Sequence, residues 1–449
     1  MTQNMTIVED VNTLMEDRKF SAVRKLLEEL YPVDVAAVFS ELDPRFTGPV
    51  FRLLSKETAA EAFSYMDADV QHQVIQALSD TELKQVLDEM YLDDTVDMLE
   101  ELPAGIVKRI LKVSSPDARG QINRLLCYQE GCAGSIMTTE FIDLKRGMTV
   151  SQAFDRIRRV GVEMETIYNC YVTDRNRCLV GVVTVRELLL NPYEARVEEL
   201  MEDHVIRVHT GDDQEQIAAL FQKYDMLALP VVDSEERLVG IITIDDAVDV
   251  IQEENTEDFE KMAALSPSEE PYLKTSVWVH ARKRIGWLLV LMFTAAITGG
   301  ILNQFEDAIA AVPLLVSFIP MLMDTGGNCG SQSATLIIRG MALGEIRLRD
   351  VARVFFKEFR ISLLVGGTLA LLNGLRIWIF YHSLLIALTV AVSLLLTVVI
   401  AKSIGCMLPM AARRCGLDPA LMASPLITTV VDTCSILVYF LLASKILGL

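Results

Sequence analysis

The chain has 449 residues, with 41 basic and 61 acidic side chains and a formal net charge of −20. Residues 276–449 hold 14 of the basic and 8 of the acidic side chains, which leaves 27 basic and 53 acidic ones, a net charge of −26, in residues 1–275. An acidic surface of this size disfavours nucleic acid and anionic lipid as partners of the first part, and it attracts cations.

Residues 1–130 are predicted to form an α-helical N-terminal domain. An apolar pattern recurs at helical spacing in the segments 34–42, 58–66 and 94–102, and each copy begins near a capping residue or a proline. Short helices in imperfect repeat predict a small superhelical stack, which is typical of docking or regulatory surfaces. The first 30 residues contain no apolar core, so we expect no signal peptide.

Residues 131–251 contain an internal duplication. Leu179–Thr184 reads LVGVVT, and 59 residues later Leu238–Thr243 reads LVGIIT. Each copy is predicted to form a strand, a helix, a strand, a short turn, a strand and a helix. The two copies, 136–195 and 200–251, resemble a pair of CBS motifs, which pack together as one α/β module.

CBS pairs often bind adenine nucleotides through a Thr or Ser that is followed three residues later by an acid. Thr184 with Glu187 and Thr243 with Asp246 have this spacing. The same side chains are also suited to capping the helix that follows. Nucleotide binding and helix capping therefore both stay open.

Residues 252–275 are predicted to form an acidic connecting helix. The sequence between Asp245 and Glu270 holds ten acids and a single base, Lys261. Acids at spacings of three and four share a helical face, and like charges at these spacings destabilise the helix that carries them. We therefore expect cations to neutralise this face, the alternative being an ordinary solvated surface.

Residues 276–449 are predicted to form an all-α membrane domain with five transmembrane helices. The first uncharged stretch has 21 residues, enough to cross a hydrocarbon core of about 30 Å. Basic residues cluster before the first predicted span and in alternate loops after it. The positive-inside rule therefore predicts a cytosolic N-terminal part and an external C-terminus. The predicted spans are Ile285–Phe305, Ala308–Ile338, Ile361–Leu375, Ser383–Ala401 and Ala420–Ala443.

Polar residues inside the fifth predicted span suggest an ion path. An Asp at the centre of a membrane helix costs about 2.5–3.5 kcal/mol and so marks function. Asp432 follows Thr428 and Thr429 by one turn, and Pro425 is expected to free the carbonyl of Leu421 from its helical donor. Carboxylate, hydroxyl and carbonyl oxygens are the ligands of hard divalent cations. The alternative is a structural hydrogen bond between helices.

The second predicted span carries a similar polar segment. Asp324 is followed by Gly326, Gly327 and Gly330, which allow another helix or an ion to approach the backbone closely. Asn328 is available as an amide ligand. The glycines lack the Gly-Lys-Ser/Thr ending of a phosphate loop, so we reject that interpretation.

Two motifs identify a family that the chain resembles. P-x-L-x-D-x-G-G-N-x-G-x-Q-S at 320–333 and D-P-A-L…S-P-h-h-T-T-h-h-D at 418–432 resemble the hallmarks of the MgtE family. With a helical N-terminal domain, a CBS pair and an acidic plug-type helix in that order, the resemblance covers essentially the whole chain. It implies a multi-pass homodimer in the lipid of the cell membrane, in which the second and fifth helices line a Mg²⁺ pore.

The resemblance also implies roles for individual residues. Asp432 matches the pore carboxylate, and Thr428, Asn328 and Gly327 are the neighbouring candidates for the ion path. Residues that match regulatory metal ligands of the family lie in the N-terminal domain, the second CBS motif and the connecting helix; they are Asp93, Asp97, Asp213, Glu215, Asp225, Asp246, Asp249, Glu254, Glu257 and Asp258.

We therefore predict a Mg²⁺-selective channel for magnesium uptake, with Mg²⁺ as both substrate and regulator. Mg²⁺ bound to the acidic cytosolic part would hold the channel closed. The alternative is a CBS-domain channel or transporter gated mainly by adenine nucleotide such as ATP, and carrying another divalent cation. No Ser/His/Asp set or HExxH motif is visible, so we predict that the chain is not an enzyme. The eight cysteines include no CxxC pair and are expected to be reduced thiols.

Overall fold

The structure is a computed structural model that describes residues 2–267, 272–273, 275–422 and 424–448. The chain divides into two compact units, Met1–Val250 and Ile251–Leu449. Glu269 and Glu270, two of the ten acids counted in the connecting region, lie outside the described residues. The eight cysteines are free in the structure, and their reduced state in the cell stays a prediction.

The first unit begins with short helices stacked in sequence. Odd-numbered helices pack on one another in turn, α1 on α3, α3 on α5, α5 on α7 and α7 on α9. The repeated apolar positions form the core of this stack, where Phe51 lies between Phe39 and Phe63 in edge-to-face contacts. The helices are α1 Thr2–Glu16, α2 Phe20–Glu28, α3 Pro32–Glu41, α4 Pro44–Phe51, α5 Lys56–Ser64, α6 Ala68–Ala77, α7 Asp80–Leu87, α8 Leu92–Glu101, α9 Ala104–Val113 and α10 Pro116–Leu125.

The duplicated region forms two three-stranded sheets, as the repeat predicts. In each sheet the first strand runs parallel to the second, and the second runs antiparallel to the third. The elements are β1 Phe141–Lys145, α11 Val150–Val160, β2 Thr166–Thr173, β3 Leu179–Thr184, α12 Val185–Leu190, α13 Val197–Leu200, β4 Val208–His209, α14 Gln214–Tyr224, β5 Ala228–Val232 and β6 Leu238–Thr243. Apolar side chains of α14, β5 and β6 share one core with the N-terminal helices.

The connecting helix, predicted over 252–275, both begins and ends earlier than predicted. A single helix, α15, runs from Ile244 to Met262, directly after β6. It therefore includes the last residues assigned to the second CBS motif. The CBS pair and the connecting segment share 19 residues of continuous helix, and the division between the two units falls inside it.

The second unit is a bundle of long helices. Among the described residues, four helices are long and apolar enough to cross a membrane, namely α16, α19, α20 and α21. The helices are α16 Val277–Gln304, α17 Glu306–Ala311, α18 Ile319–Ala342, α19 Val351–Tyr381, α20 Leu384–Arg414 and α21 Ser424–Leu447.

The second predicted span differs from the structure. The stretch Ala308–Ile338 contains the end of α17, a 3₁₀ turn at Pro313–Phe318 and most of α18. Helix α18 is continuous through Asp324, and the interruption of the predicted span lies before Ile319. With 24 residues α18 is about 36 Å long, which is enough to cross a membrane. Because of its polar side chains, it is not among the helices that are apolar enough to count as candidate spans. Five transmembrane helices stay a prediction.

Candidate functional site

The two polar segments of the second unit lie against each other. A side chain at Gly327 of α18 would meet Thr428 of α21, since a Cβ placed there lies 3.0 Å from the Thr428 Cγ2 atom. Gly326 and Gly330 similarly allow the side chains of Val431 and Ile427 to approach the α18 backbone. The glycine-rich sequence of α18 therefore brings its backbone next to the threonines of α21.

The oxygens of α21 are ordered by a short hydrogen-bond network. The hydroxyls of Thr428 and Thr429 both donate to the carbonyl of Pro425, at 2.9 and 3.0 Å. Each hydroxyl then presents its lone pairs away from that bond, where an ion or its water can use them. Asp432 lies one turn further on and is half-buried.

The expected free carbonyl of Leu421 is a wrong prediction. Helix α21 begins at Ser424, so Pro425 lies in its first turn, where a missing N–H removes no helical bond. Leu421 belongs to a separate 3₁₀ turn, Pro419–Met422. The carbonyl that does take part in the polar segment is that of Pro425 itself, which accepts the hydrogen bonds of the Thr428 and Thr429 hydroxyls.

Helix α18 adds an exposed polar stripe. Asp324, Asn328 and Gln332 follow one another at four-residue intervals and are exposed, whereas the glycines are buried. Asp324 also lies within electrostatic range of Asp432. The bundle thus combines two carboxylates, amides and hydroxyls along α18 and α21.

A second group of acids lies in the first unit, where the N-terminal helices meet the CBS pair. One carboxylate oxygen from each of Asp93, Glu140 and Glu165 lies within 4.8 Å of the other two. Asp93 is in the first turn of α8, while Glu140 and Glu165 immediately precede β1 and β2. The backbone N–H of Glu165 donates to the carbonyl of Glu140 at 3.1 Å, which fixes the two acids side by side.

Burial and mutual repulsion both disfavour ionisation in this group. Burial, followed by the neighbouring acids, raises the pKa of Asp93 to about 6, of Glu140 to about 7 and of Glu165 to about 8. Burial is also the main cause that raises the pKa of Asp97 to about 8 and of Asp246 to about 7. Several carboxyl groups are therefore crowded together without compensating charge.

The donor set suits a hard divalent cation. No Lys or Arg forms an ion pair with Asp93, Glu140 or Glu165 within the described part of the chain, and the buried Oε2 atom of Glu165 has no hydrogen-bond partner there. A Mg²⁺ ion coordinates carboxylate oxygens and offsets such repulsion. Asp93, Glu140 and Glu165 are thus the residues that would hold it.

Other predicted regulatory acids lie at different places in the first unit. Asp213 caps the N-terminus of α14 by accepting from the N–H of Glu215 at 2.9 Å. Asp225 ends the same helix in the left-handed conformation, with φ of 50°. Since the 11 residues of α14 lie between them, Asp225 is about 18 Å from Asp213. Asp249 lies on α15, where partial desolvation by neighbouring residues, followed by the charge of Asp245, raises its pKa.

The connecting acids in the second unit surround an ammonium group. The Nζ atom of Lys261 lies 2.8 Å from Glu257 and 2.8 Å from Asp418. Burial, followed by Asp418, raises the pKa of Asp258, and Glu254 acts on it in the same direction. Glu254, Glu257 and Asp258 therefore belong to one acidic group with Asp418, which Lys261 neutralises in part.

The proposed nucleotide residues form a capping box. The hydroxyl of Thr184 accepts from the N–H of Glu187 at 3.2 Å, and the Glu187 carboxylate accepts from the N–H of Thr184 at 3.0 Å. Both side chains cap α12. The geometry supports the capping role, and nucleotide binding stays a prediction.

Glu140 and Glu165 were missed by sequence reasoning. The signal was available, since each acid directly precedes a strand and the first two strands of a CBS motif are parallel neighbours. Residues that precede parallel neighbouring strands meet at the same sheet edge. Their proximity to Asp93 depends on how the N-terminal helices pack, which the local sequence pattern does not contain.

Family models match three parts of the chain. The MgtE intracellular N domain matches residues 8–131, the CBS domain matches residues 133–193 and 197–253, and the MgtE divalent cation transporter model matches residues 319–442. The predicted order of a helical domain, a CBS pair and a helical transporter region is confirmed.

Relatives match nearly the full length. The chain is 39% identical over 430 residues to the "Magnesium transporter MgtE" of Thermus thermophilus, with 95% of each chain covered. It is 32% identical over 447 residues to the protein of that name from Bacillus subtilis, with 99% of each covered. A crystal structure of the cytosolic domain of the Mg²⁺ channel MgtE in complex with ATP is 36% identical, with a TM-score of 0.52, and covers 54% of this chain and 99% of that chain.

Proposed function

The chain belongs to the MgtE family of divalent cation transporters, and from that premise we propose that it carries Mg²⁺ across the cell membrane. The observation that carries this proposal is the contact between α18 and α21, which brings Gly327 against Thr428 one turn before Asp432. The names of the two full-length relatives, both magnesium transporters, support the choice of ion.

In the proposed path the Asp432 carboxylate attracts the cation, and the neighbouring neutral oxygens accept hydrogen bonds from the water molecules bound to it. Mg²⁺ prefers six oxygens and gives up water reluctantly, so one carboxylate per chain with hydroxyl and amide groups suits a partly hydrated ion. A homodimer would supply two Asp432 carboxylates, whose charge matches one divalent cation. In this proposal α18 also crosses the membrane, as the second of five spanning helices in chain order, and the path is lined by Thr428, Asn328 and Gly327.

We further propose that cytosolic Mg²⁺ closes the path. The N-terminal part would be cytosolic and the C-terminus external. The convergence of Asp93, Glu140 and Glu165 supports a metal-stabilised arrangement of the N-terminal helices on the CBS pair. When Mg²⁺ is scarce, repulsion among these acids favours separation. The permeating ion is then also the inhibitor, so uptake stops when supply is sufficient.

The test is Mg²⁺ uptake by purified protein in lipid vesicles. Asp432→Ala should lose nearly all uptake while remaining folded, because the path loses its central carboxylate. Asp307→Ala is the matched control, since Asp307 is an exposed acid of the same unit outside the α18–α21 contact, and it should retain uptake. Wild-type uptake by a correctly assembled Asp432→Ala protein would contradict the proposal.

A second candidate is control by nucleotide rather than metal. The ATP complex of the related cytosolic domain favours considering it. Uptake measured with internal Mg²⁺ varied, in the presence and absence of ATP, separates the two. Closure by Mg²⁺ alone supports metal control, whereas closure that requires ATP supports the alternative.

A further inference from the structure

A cavity of about 580 Å³ lies between the last N-terminal helix and the hairpin turns of the CBS pair. Its lining includes Arg124 of α10, Arg175 and Arg177 of the β2–β3 turn, and Arg237 just before β6. Asp233 is the one acid among its described lining residues. We call this space the arginine cavity. A concentration of positive charge is unexpected in a region whose sequence carries a net charge of −26.

The positive charge of the cavity is largely uncompensated. The carboxylate of Asp233 accepts from the backbone N–H groups of Glu235 and Arg237, at 2.8 and 2.9 Å, and so stabilises the turn before β6. Within the residues described, the side chains of Arg124, Arg175 and Arg177 form no hydrogen bond or ion pair, whereas Arg237 pairs with Glu235. Three guanidinium groups are therefore available to a ligand.

The walls of the cavity are tied together. The Thr139 hydroxyl donates to the Gln121 Oε1 atom at 3.2 Å, which joins α10 to the segment before β1. The two hairpin turns are paired through the backbone, since Leu238 donates to the carbonyl of Arg177 at 3.0 Å. The volume lies within the range of about 300–1,000 Å³ that is usual for small-molecule sites.

We propose that the arginine cavity binds a phosphate-bearing polyanion of the di- or triphosphate class. A guanidinium group donates two parallel hydrogen bonds to a phosphate, and several such groups are needed to hold a multiply charged anion. The long-range field of the acidic protein opposes every anion, so a ligand must offset this cost through several direct guanidinium contacts, which a di- or triphosphate can make and a single carboxylate cannot.

This site is separate from the Thr184–Glu187 position. Thr184 ends β3, whereas Arg177 precedes its start, and six strand residues span about 17 Å. A ligand in the arginine cavity would contact both α10 and the CBS hairpins, and so would hold the N-terminal helices on the CBS pair. The inference does not depend on the proposed transport function, because binding here is measured without ion flux.

The experiment is isothermal titration of the full-length protein in detergent, in metal-free buffer, with tripolyphosphate and separately with ATP. Wild-type protein should bind tripolyphosphate. Arg175→Gln/Arg177→Gln should weaken that binding at least about tenfold, because two charge-assisted contacts are lost. Arg158→Gln/Arg159→Gln is the matched control, since it removes the same charge from exposed positions of α11 and should change the affinity less than about twofold.

The ATP titration distinguishes the sources of the phosphate groups. If ATP binding also weakens in Arg175→Gln/Arg177→Gln, nucleotides use the cavity; if ATP binding falls only in Glu187→Gln, the ligand is an inorganic polyphosphate. Three results would overturn the proposal: wild-type protein that binds neither compound, unchanged tripolyphosphate affinity in the cavity variant, or equal weakening in the control. Size-exclusion profiles check that each variant remains folded.

Discussion

Glu165 illustrates how a single side chain becomes a candidate metal ligand. It lies before β2, next to Glu140 and facing Asp93, and its Oε2 atom is buried without a partner among the described residues. Burial is the largest cause of its raised pKa, and four neighbouring acids add to it. A carboxylate in this position is unfavourable unless a proton or a cation is bound.

Replacing Glu165 with Gln should stabilise the metal-free protein and weaken its response to Mg²⁺. The folded pKa of about 8 lies above the ordinary value, so the folded state retains a proton that the unfolded state releases, and stability falls as pH rises from about 5 to 8. Gln avoids that loss, and we expect a gain on the order of 1 kcal/mol at pH 8, after solvent screening, and little gain near pH 4.

Scanning calorimetry of the full-length protein, with and without millimolar Mg²⁺, measures both effects. Glu163→Gln is the matched control, because Glu163 is exposed, lies two residues before Glu165 and carries the same charge. Equal Mg²⁺-induced shifts in Tm for Glu165→Gln and wild type would exclude Glu165 as a ligand.

At the scale of elements, the crossing of α18 and α20 determines the position of the polar stripe. A Cβ at Gly405 of α20 would collide with the carbonyl oxygen of Gly330 on α18. Next to this crossing, Lys402 Nζ donates to Ser333 at 3.1 Å and Ser333 donates to Glu358 at 2.7 Å, which joins α18, α19 and α20 through buried side chains. Helix α18 is therefore held from behind, opposite its exposed polar face.

Gly405→Ala should displace α18 and reduce Mg²⁺ uptake strongly. Overpacking of a helix crossing typically costs about 1–3 kcal/mol, because the backbone must move to admit the methyl group. Gly367→Ala in α19 is the matched control, since a Cβ there meets nothing within 4 Å. Vesicle uptake and Tm of the two variants check the expectation, which fails if both behave like wild type.

The elements were more predictable than their contacts. The LVGVVT and LVGIIT repeats predict β3 and β6 with the correct limits, because strand signals are local. The glycines of α18 also predict close helix packing. Gly405 and the Lys402–Ser333–Glu358 connection depend on which helix packs behind α18, and nothing in their local sequence specifies that partner. The same limit explains why Glu140 and Glu165 were missed while Asp93 was found through the family.

At the scale of the whole molecule, charge is divided between a strongly acidic first part and a weakly basic second part. Much of the acidic charge is exposed and screened over about 8 Å at physiological salt. The buried group around Asp93 is screened less, so a bound divalent cation affects it most. Metal binding is therefore expected to change how firmly the N-terminal helices hold to the CBS pair.

Millimolar Mg²⁺ should protect the soluble part from proteolysis. With Mg²⁺ bound, cleavage at the segment near Gly131, between α10 and β1, should be slow, and removal of Mg²⁺ should accelerate it severalfold. Cleavage near Ser266, after α15, should respond in the same direction. Na⁺ at equal ionic strength controls for general screening, and identical digestion with and without Mg²⁺ would contradict a regulatory metal.

The continuous course of α15 has a mechanical consequence. The helix has 19 residues and no internal break, so it behaves as a rod about 28 Å long. Asp246 and Glu257 are 11 residues apart, and at 100° per residue they differ by only about 20° around the axis. Any rotation that turns Asp246 toward or away from its neighbours must turn Glu257 by the same angle. A rotation of the helix about its axis is therefore transmitted along it as well as a displacement, and Asp246 and Glu257 keep the same angular offset.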